Sequence, residues 1–317
     1  MIKKEKRSSA LGSIAEFLEA WQGDDFGFVR LCQQEEKRFS ISYKCLDPSL
    51  ITAPFIKESY GTIAMSGTLS PVTMYADLLG FPENTVRNEY KNPFLQEHRL
   101  NLIIPQTSTK YGERNSIMFS RIAKIVADIV NLVPGNSIVF FPSYVLRNEV
   151  GHHFQSLCKK TTFLEDSSMT KAEREELLDA FKQYKNSGAV LLATVAGSFS
   201  EGIDLPGDLL KCVVVVGVPL SKPDLETDEL IAYYDKKFGK GWDYGYLMPA
   251  MTRVIQSAGR CIRTEHDRGV IAFIDERFSW QNYFKLFPKD WDIKITGLYE
   301  QRIKEFFEND GRNKNIQ

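Results

Sequence analysis

The sequence predicts a doubly wound α/β domain with a mainly parallel sheet and helices on both faces. Three observations carry that expectation. Short runs of Val, Ile, Leu and Phe recur without polar interruption, as strands covered on both faces require. Segments of helical periodicity separate them, and Gly and Pro punctuate the joins.

Taken in order, the first 50 residues stand apart. An amphipathic helix is expected near Ile14–Trp21, then two strand-like runs, Gly27–Cys32 and Arg38–Tyr43. This preceding segment reads as an edge hairpin or as the end of a neighbouring domain. The main domain is expected over residues 51–308, with early strands at Thr62–Met65 and Leu102–Ile104. Ile117, Met118, Ile122, Ile125, Val126, Ile129 and Val130 then recur at helical spacing, and Pro134-Gly135 ends that helix. Strands follow at Ser137–Phe141, Ala189–Thr194, Cys212–Val218 and Val270–Ile274. Between the first two, Thr170-x-x-Glu173 has the form of a capping box opening a helix with Leu177, Leu178, Phe181 and Tyr184 on its apolar face. Residues 309–317 are a polar tail, expected to fray.

The composition fits this architecture and excludes other classes. With 317 residues, 43% of them hydrophobic, the chain can bury a substantial core without disulfides or metals. Lysine plus arginine (40) nearly balance aspartate plus glutamate (41), so no global basic field exists and any nucleic-acid contact must be local. Cys32, Cys45, Cys158, Cys212 and Cys261 lie far apart with no C-x-x-C pair; most are expected to be buried thiols in a reducing compartment. Glu16 and Glu19 interrupt the basic opening before a signal-peptide core could form, and the longest apolar run, around Val213 to Leu220, is too short to span a bilayer. A cytoplasmic protein is expected, nuclear in a eukaryotic source, with no membrane partner.

Four short blocks carry chemistry. In Met251–Arg263 (MTRVIQSAGRCIR), at about 100° per residue, Met251, Val254, Ile255, Ala258 and Ile262 fall on one side of a helix, and Arg253, Gln256, Arg260 and Arg263 on the other. A solvated basic face explains such a cluster in general, but Gly259 in mid-helix costs about 1 kcal/mol relative to Ala and implies close packing there. Arginine offers a rigid fork for phosphate oxygens. Ala193–Gly207 (ATVAGSFSEGIDLPG) leaves a buried strand as a loop of small and polar residues, where α/β sheets place ligands, though an ordinary connection also fits. Ile138–Tyr144 (IVFFPSY) ends a strand on Ser143 and Tyr144; Ser143 suits a helix cap as well as a phosphate. Met65–Pro71 (MSGTLSP) reads as a strand end and a capped turn.

These blocks, in this order, resemble motifs of the XPD/DinG family of superfamily-two DNA helicases, in particular their second, RecA-like motor domain. QSAGRCIRTEHDRG is similar to motif VI, SEGID to motif V, FFPSY to motif IV, and SGTLSP to a segment typical of XPD-like proteins. The resemblance runs from about Lys44 to Phe278. It implies that Arg263 is the arginine finger, with Arg260 beside it and Gln256 as a polar organiser. Glu201, Gly202 and Asp204 would serve the nucleotide, with Ser66, Gly67 and Thr68 as second-rank nucleotide-side residues. Ser143, Tyr144, Arg147, Thr194, Gly197 and Ser198 would face single-stranded DNA. It also implies ATP with Mg²⁺ bound mainly by a first motor domain that carries the phosphate loop and an iron–sulfur cluster held by four cysteines.

Neither of those last features has a counterpart here. No G-x-x-x-x-G-K-[ST] occurs, so the chain is expected to hydrolyse no ATP alone and to be a carboxyl-terminal piece or one part of a split enzyme. Asp228-Glu229 and Asp275-Glu276 mimic metal-binding pairs but serve no upstream phosphate loop. The expected function is the second motor domain of an ATP-dependent 5′→3′ DNA helicase, with DNA repair as its setting. The alternative is a non-catalytic single-strand-binding or partner-docking module that kept the fold.

Overall fold

The computed structural model describes residues 9–35, 38–200 and 203–314. In chain order these form α1 (Ala10–Trp21), β1 (Phe28–Glu35), β2 (Arg38–Cys45), α2 (Ser49–Glu58), α3 (Val72–Leu79), β3 (Arg99–Ile104), α4 (Ser116–Leu132), β4 (Ser137–Phe141), α5 (Tyr144–Phe154), β5 (Thr161–Leu164), α6 (Lys171–Gln183), β6 (Ala189–Thr194), β7 (Cys212–Val216), α7 (Leu225–Phe238), α8 (Met248–Ala258), β8 (Gly269–Ile274), α9 (Gln281–Phe284), β9 (Ile293–Ile295) and α10 (Tyr299–Lys314). A π-helical turn, Asp243–Leu247, immediately precedes α8. The chain divides into two compact units: one built from the chain up to Glu89 together with Ser221–Leu247, the other from Tyr90–Leu220 and the chain from Met248 onward.

The larger unit holds a seven-stranded sheet in the order β5-β6-β4-β7-β8-β3-β9, parallel throughout. The fold is the expected α/β, RecA-like one. Side chains alternate across the sheet as strand geometry demands. Val139, Phe141, Val214, Val216, Ala272 and Ile274 pack with α4, α5 and Ile303 of α10 on one face. Their neighbours Ile138, Phe140, Val213, Val215, Ile271 and Phe273 point to the other and are buried as well. Here the runs of apolar residues are explained: both faces of the central strands β4, β6, β7 and β8 are covered, so none of their positions is left for water.

The helix starts follow local chemistry. Asn115 caps α4 by accepting from Met118 N, and Thr170 and Glu173 form the full reciprocal capping box at α6. Phe181 of α6 is buried and meets Phe163 of β5 edge-on. Strands β4 and β6 have the bounds that the sequence predicts, whereas β3 starts three residues earlier and β7 stops at Val216. At the end of β7, Gly217 takes φ +71°, and a Cβ there would lie 2.3 Å from Thr109 Oγ1.

Several expectations need correction. Thr62–Met65 forms no strand, because Ile63 and Met65 are exposed and no neighbouring strand pairs with them among the described residues. Strands β5 and β9, of four and three residues, are too short and too polar to be legible by pattern. Only Cys212 and Cys261 are buried; Cys32 and Cys45 are exposed. The boundary drawn at residue 50 falls inside the smaller unit, and α10 extends through Lys314 into the expected tail.

The smaller unit contains the predicted hairpin, β1 antiparallel to β2. Arg30 clamps it, donating to the Trp21 and Gly23 carbonyls while its guanidinium lies against Tyr43. Buried Asp47 accepts from Ser49 Oγ (2.6 Å), Tyr233 Oη (2.7 Å) and Lys237 Nζ (2.6 Å), tying the start of α2 to α7. Asp228-Glu229 lies within α7, as its helical pattern indicates.

Candidate functional site

Three adjacent strands, β5, β6 and β4, end side by side and deliver most of the candidate residues. Phe141 and Thr194 are register partners, so the turns after β4 and β6 emerge together, joined by Val195 N donating to Phe141 O at 2.8 Å. Beyond β4, Ser143 is the N-cap of α5, accepting from Leu146 N. Tyr144 follows at the first helical position, half-buried.

Arg147 corrects the phosphate reading. It is buried, its guanidinium lies 5.0 Å from the centre of the Tyr144 ring, and it donates to the backbone carbonyl of Glu165 and the side chain of Asn148. Such a guanidinium organises the protein rather than reaching for a ligand.

The loop after β6 is organised by a residue that the motif reading misses. Glu165, directly after β5 and 1% exposed, accepts from Thr194 N (2.8 Å), Thr194 Oγ1 (3.3 Å), Ser198 N (2.6 Å) and Phe199 N (3.4 Å). A Cβ on Gly197 would sit 2.3 and 2.4 Å from the two carboxylate oxygens. A side chain at that position would have to displace the carboxylate. Thr194 is buried beneath the loop, and Ser198 is exposed on it.

The arginine block is not one helix. Helix α8 ends at Ala258, and Gly259 and Arg260 form the turn that leaves it, with Gly259 N donating to Ile255 O at 2.8 Å. The shared helical face expected for all four polar residues thus holds only through Gln256, which sits half-buried on α8, and exposed Arg253. Gly259 is a helix terminator, so its cost in a helix interior does not arise.

The turn separates the two arginines in role. Arg260 donates through Nε and Nη2 to Ser200 O (3.1 and 2.7 Å) and through Nη1 to Ile203 O (2.8 Å). Arg263 is exposed, 3.5 Å from both Ile203 O and the carboxylate of exposed Asp204. Its backbone is held by Asp267, a second residue that the motif reading misses. Asp267 is buried and accepts from Arg263 N (2.6 Å), Thr264 N (2.8 Å), Thr264 Oγ1 (2.7 Å) and Gly207 N (2.8 Å). Burial pushes its carboxyl upward, but these donors outweigh that and hold it below the usual carboxylate range.

A third carboxylate organises the ends of β3 and β8. Asp275 is fully buried and accepts from Arg277 Nε and Nη2, both at 2.9 Å, and from Thr109 N and Oγ1, both at 2.8 Å. Burial again acts upward, and the Arg277 fork and Thr109 prevail, leaving the carboxyl below its ordinary value. Asp275 is a structural residue.

Thr194, Gly197, Ser198, Asp204, Arg260 and Arg263 are thus brought into one connected set, with Ser143, Tyr144 and Arg147 beside it. Ser66, Gly67 and Thr68 belong to the smaller unit, where Thr68 N donates to Ser66 Oγ at 3.2 Å. Glu201 and Gly202 lie outside the described residues. Among the described residues no group of three or more His, Cys, Asp or Glu could hold a metal ion, and no helix is long and apolar enough to cross a membrane.

A family model described as the helicase C-terminal domain matches residues 126–293, more than half of the chain and the part that contains this whole set. The chain belongs to this family. Relatives of this helicase C-terminal domain include the general transcription and DNA repair factor IIH helicase subunit XPD of Dictyostelium discoideum, 26% identical over 86% of this chain and 38% of that protein. The regulator of telomere elongation helicase 1 homolog of Oryza sativa subsp. japonica is 28% identical over 84% of this chain and 30% of its own length. The ATP-dependent DNA helicase DinG of Photobacterium profundum is 30% identical over 71% of this chain and 33% of its own. The chain thus spans about a third of the curated relatives it matches. Among solved structures an XPD helicase superposes with a TM-score of 0.67 at 21% identity, covering 90% of this chain and 50% of the other, which supports the fold. The helicase C-terminal domain is of the XPD type that the four motifs resemble, and its named relatives are DNA helicases.

Proposed function

We propose that this chain supplies the second motor domain of an ATP-dependent, 5′→3′ DNA helicase of the XPD type, with DNA repair as the setting. Its partners would be single-stranded DNA and a first motor domain that contributes the phosphate loop, most of the ATP·Mg²⁺ contacts and an iron–sulfur cluster. The observation that carries this reading is the division of labour between the two arginines. Arg260 is committed to the Ser200 and Ile203 carbonyls and anchors the turn. Arg263 is exposed and loosely held, with a backbone fixed by Asp267. A fixed backbone with a side chain able to reach is what a finger acting on a γ-phosphate needs.

In this reading Arg263 stabilises charge that develops on the transferring phosphoryl group. Asp204, 3.5 Å away, holds the guanidinium until the nucleotide takes its place. Exposed Ser198, with half-buried Gly197 and Ser143, offers hydroxyl and backbone groups to DNA phosphates, and Tyr144 offers a ring to a base. Hydrolysis would release the two motor domains from one another and move DNA by alternate closure.

The test uses the chain together with a phosphate-loop motor domain. Arg263→Ala should lower DNA-stimulated ATPase turnover by a factor on the order of 10³ or more, with ATP and DNA affinities changed far less. Arg263→Lys should rescue little, since an ammonium cannot reproduce the planar fork. A folded Arg263→Ala enzyme with near-normal turnover would remove Arg263 from this role.

A further inference from the structure

We propose that Glu165, which none of the helicase motifs contains, is the positioning residue of the DNA-contacting loop and couples it to the arginine turn. The proposal rests on the reading that Gly197 and Ser198 face DNA. Its observation is the convergence of three backbone N–H groups and one hydroxyl on a single buried carboxylate.

An isolated loop with exposed Ala196 and Ser198 has many conformations available. Here each end of it is pinned to a different oxygen. Thr194 N is on Oε2, and Ser198 N and Phe199 N are on Oε1. Glu165 is itself fixed at both ends, since its own N–H donates to Leu192 O at 3.0 Å and its carbonyl accepts from Arg147. The same loop continues to Ser200, whose N–H donates to Gly197 O and whose carbonyl receives Arg260. A hydrogen-bonded path therefore runs from Arg147 beside Tyr144, through Glu165 and the loop, to Arg260.

The carboxylate could act on DNA in either of two ways, and they have opposite signs. As a negative charge under the loop it would repel phosphate; as the hub of the loop it would hold the phosphate contacts in place. Its burial and its ring of N–H dipoles favour the second, because the charge is already compensated where it sits.

Glu165→Gln separates the two. The amide keeps the shape but turns one oxygen into a donor, so one end of the loop faces N–H with N–H. Binding of the whole chain to a fluorescein-labelled oligothymidylate would be followed by anisotropy across a salt series, with hydrogen exchange at the loop amides measured on the same proteins. The expected result is faster exchange at Thr194 or at Ser198 and Phe199, and weaker binding. Each lost phosphate contact should lower the salt slope by about 0.7 and the affinity at 0.1 M salt by roughly fivefold. Gly197→Ala should give the same loss with Glu165 intact, because its Cβ meets the carboxylate, and it answers the question if the Gln variant does not fold. Unchanged exchange, or unchanged or tighter binding by folded variants, would overturn the role of Glu165 alone. Wild-type protein that shows no salt-dependent binding would instead overturn the DNA reading and this inference with it.

Discussion

Replacing Arg260 and Arg263 one at a time should produce opposite profiles, and the structure sets the size of each. Arg260→Ala removes a charged donor from the carbonyls of Ser200 and Ile203, two residues that are themselves buried. Hydrogen bonds to charged groups contribute about 1.5–3 kcal/mol each, not additively, and orphaned buried carbonyls cost more. A loss of about 2–4 kcal/mol follows for Arg260→Ala. Arg263→Ala removes one long contact to Ile203 O and an ion pair with exposed Asp204, so its cost should stay within about 0.5 kcal/mol. Arg260→Lys should recover less than half of the loss, since one ammonium cannot fork between two carbonyls. Urea unfolding followed by far-UV circular dichroism would measure all three. Equal shifts in midpoint for Arg260→Ala and Arg263→Ala would refute the division into anchor and finger.

Three further outcomes are expected. The purified chain without a phosphate-loop domain should hydrolyse ATP no faster than buffer in a coupled assay, with or without oligonucleotide. Asp267 and Asp275 have folded-state pKa values below their unfolded ones, so their contribution to stability is complete above an unfolded value of about 4 and is lost as pH falls through the lower folded values. Urea midpoints should therefore show no pH dependence from these two carboxyls between pH 7 and 5, where their contribution is constant, and Asp267→Asn should flatten the fall seen below pH 4. Gly217→Ala combines positive φ with a Cβ against Thr109 and should cost about 2–4 kcal/mol, whereas Gly67→Ala, with nothing within 4 Å, should be close to neutral by thermal melting.

The sheet was legible because burial on both faces writes itself into the chain. Ser137–Phe141 and Ala189–Thr194 are apolar almost without a break since neither face of those central strands meets water. Legibility fails where burial fails. Strand β5 is an edge with polar Thr161 and Thr162, and β9 is three residues long with Lys294 at its centre, so neither shows the central-strand pattern. Thr62–Met65 errs the other way, for a β-branched run predicts a strand only when a partner edge is present to accept it.

The site was legible at the residues that would act and illegible at the residues that hold them. Arginines, glycines and hydroxyls in a fixed order can be recognised, and Arg263, Gly197 and Ser198 are the residues that the resemblance proposes for action. Glu165 and Asp267 cannot be found this way. Each is a carboxylate in a short segment that also carries another acidic residue, Asp166 beside Glu165 and Glu265 near Asp267, and its importance comes from backbone N–H groups that are distant in sequence. Thr194 N is 29 residues from Glu165, and Gly207 N is 60 from Asp267. Helical periodicity also misled in a specific way, because it continued through Gly259 while the chain turned there. That turn gives Arg260 and Arg263 different surroundings. If they had stayed on one helical face, both would have been solvated and nothing would distinguish an anchor from a finger.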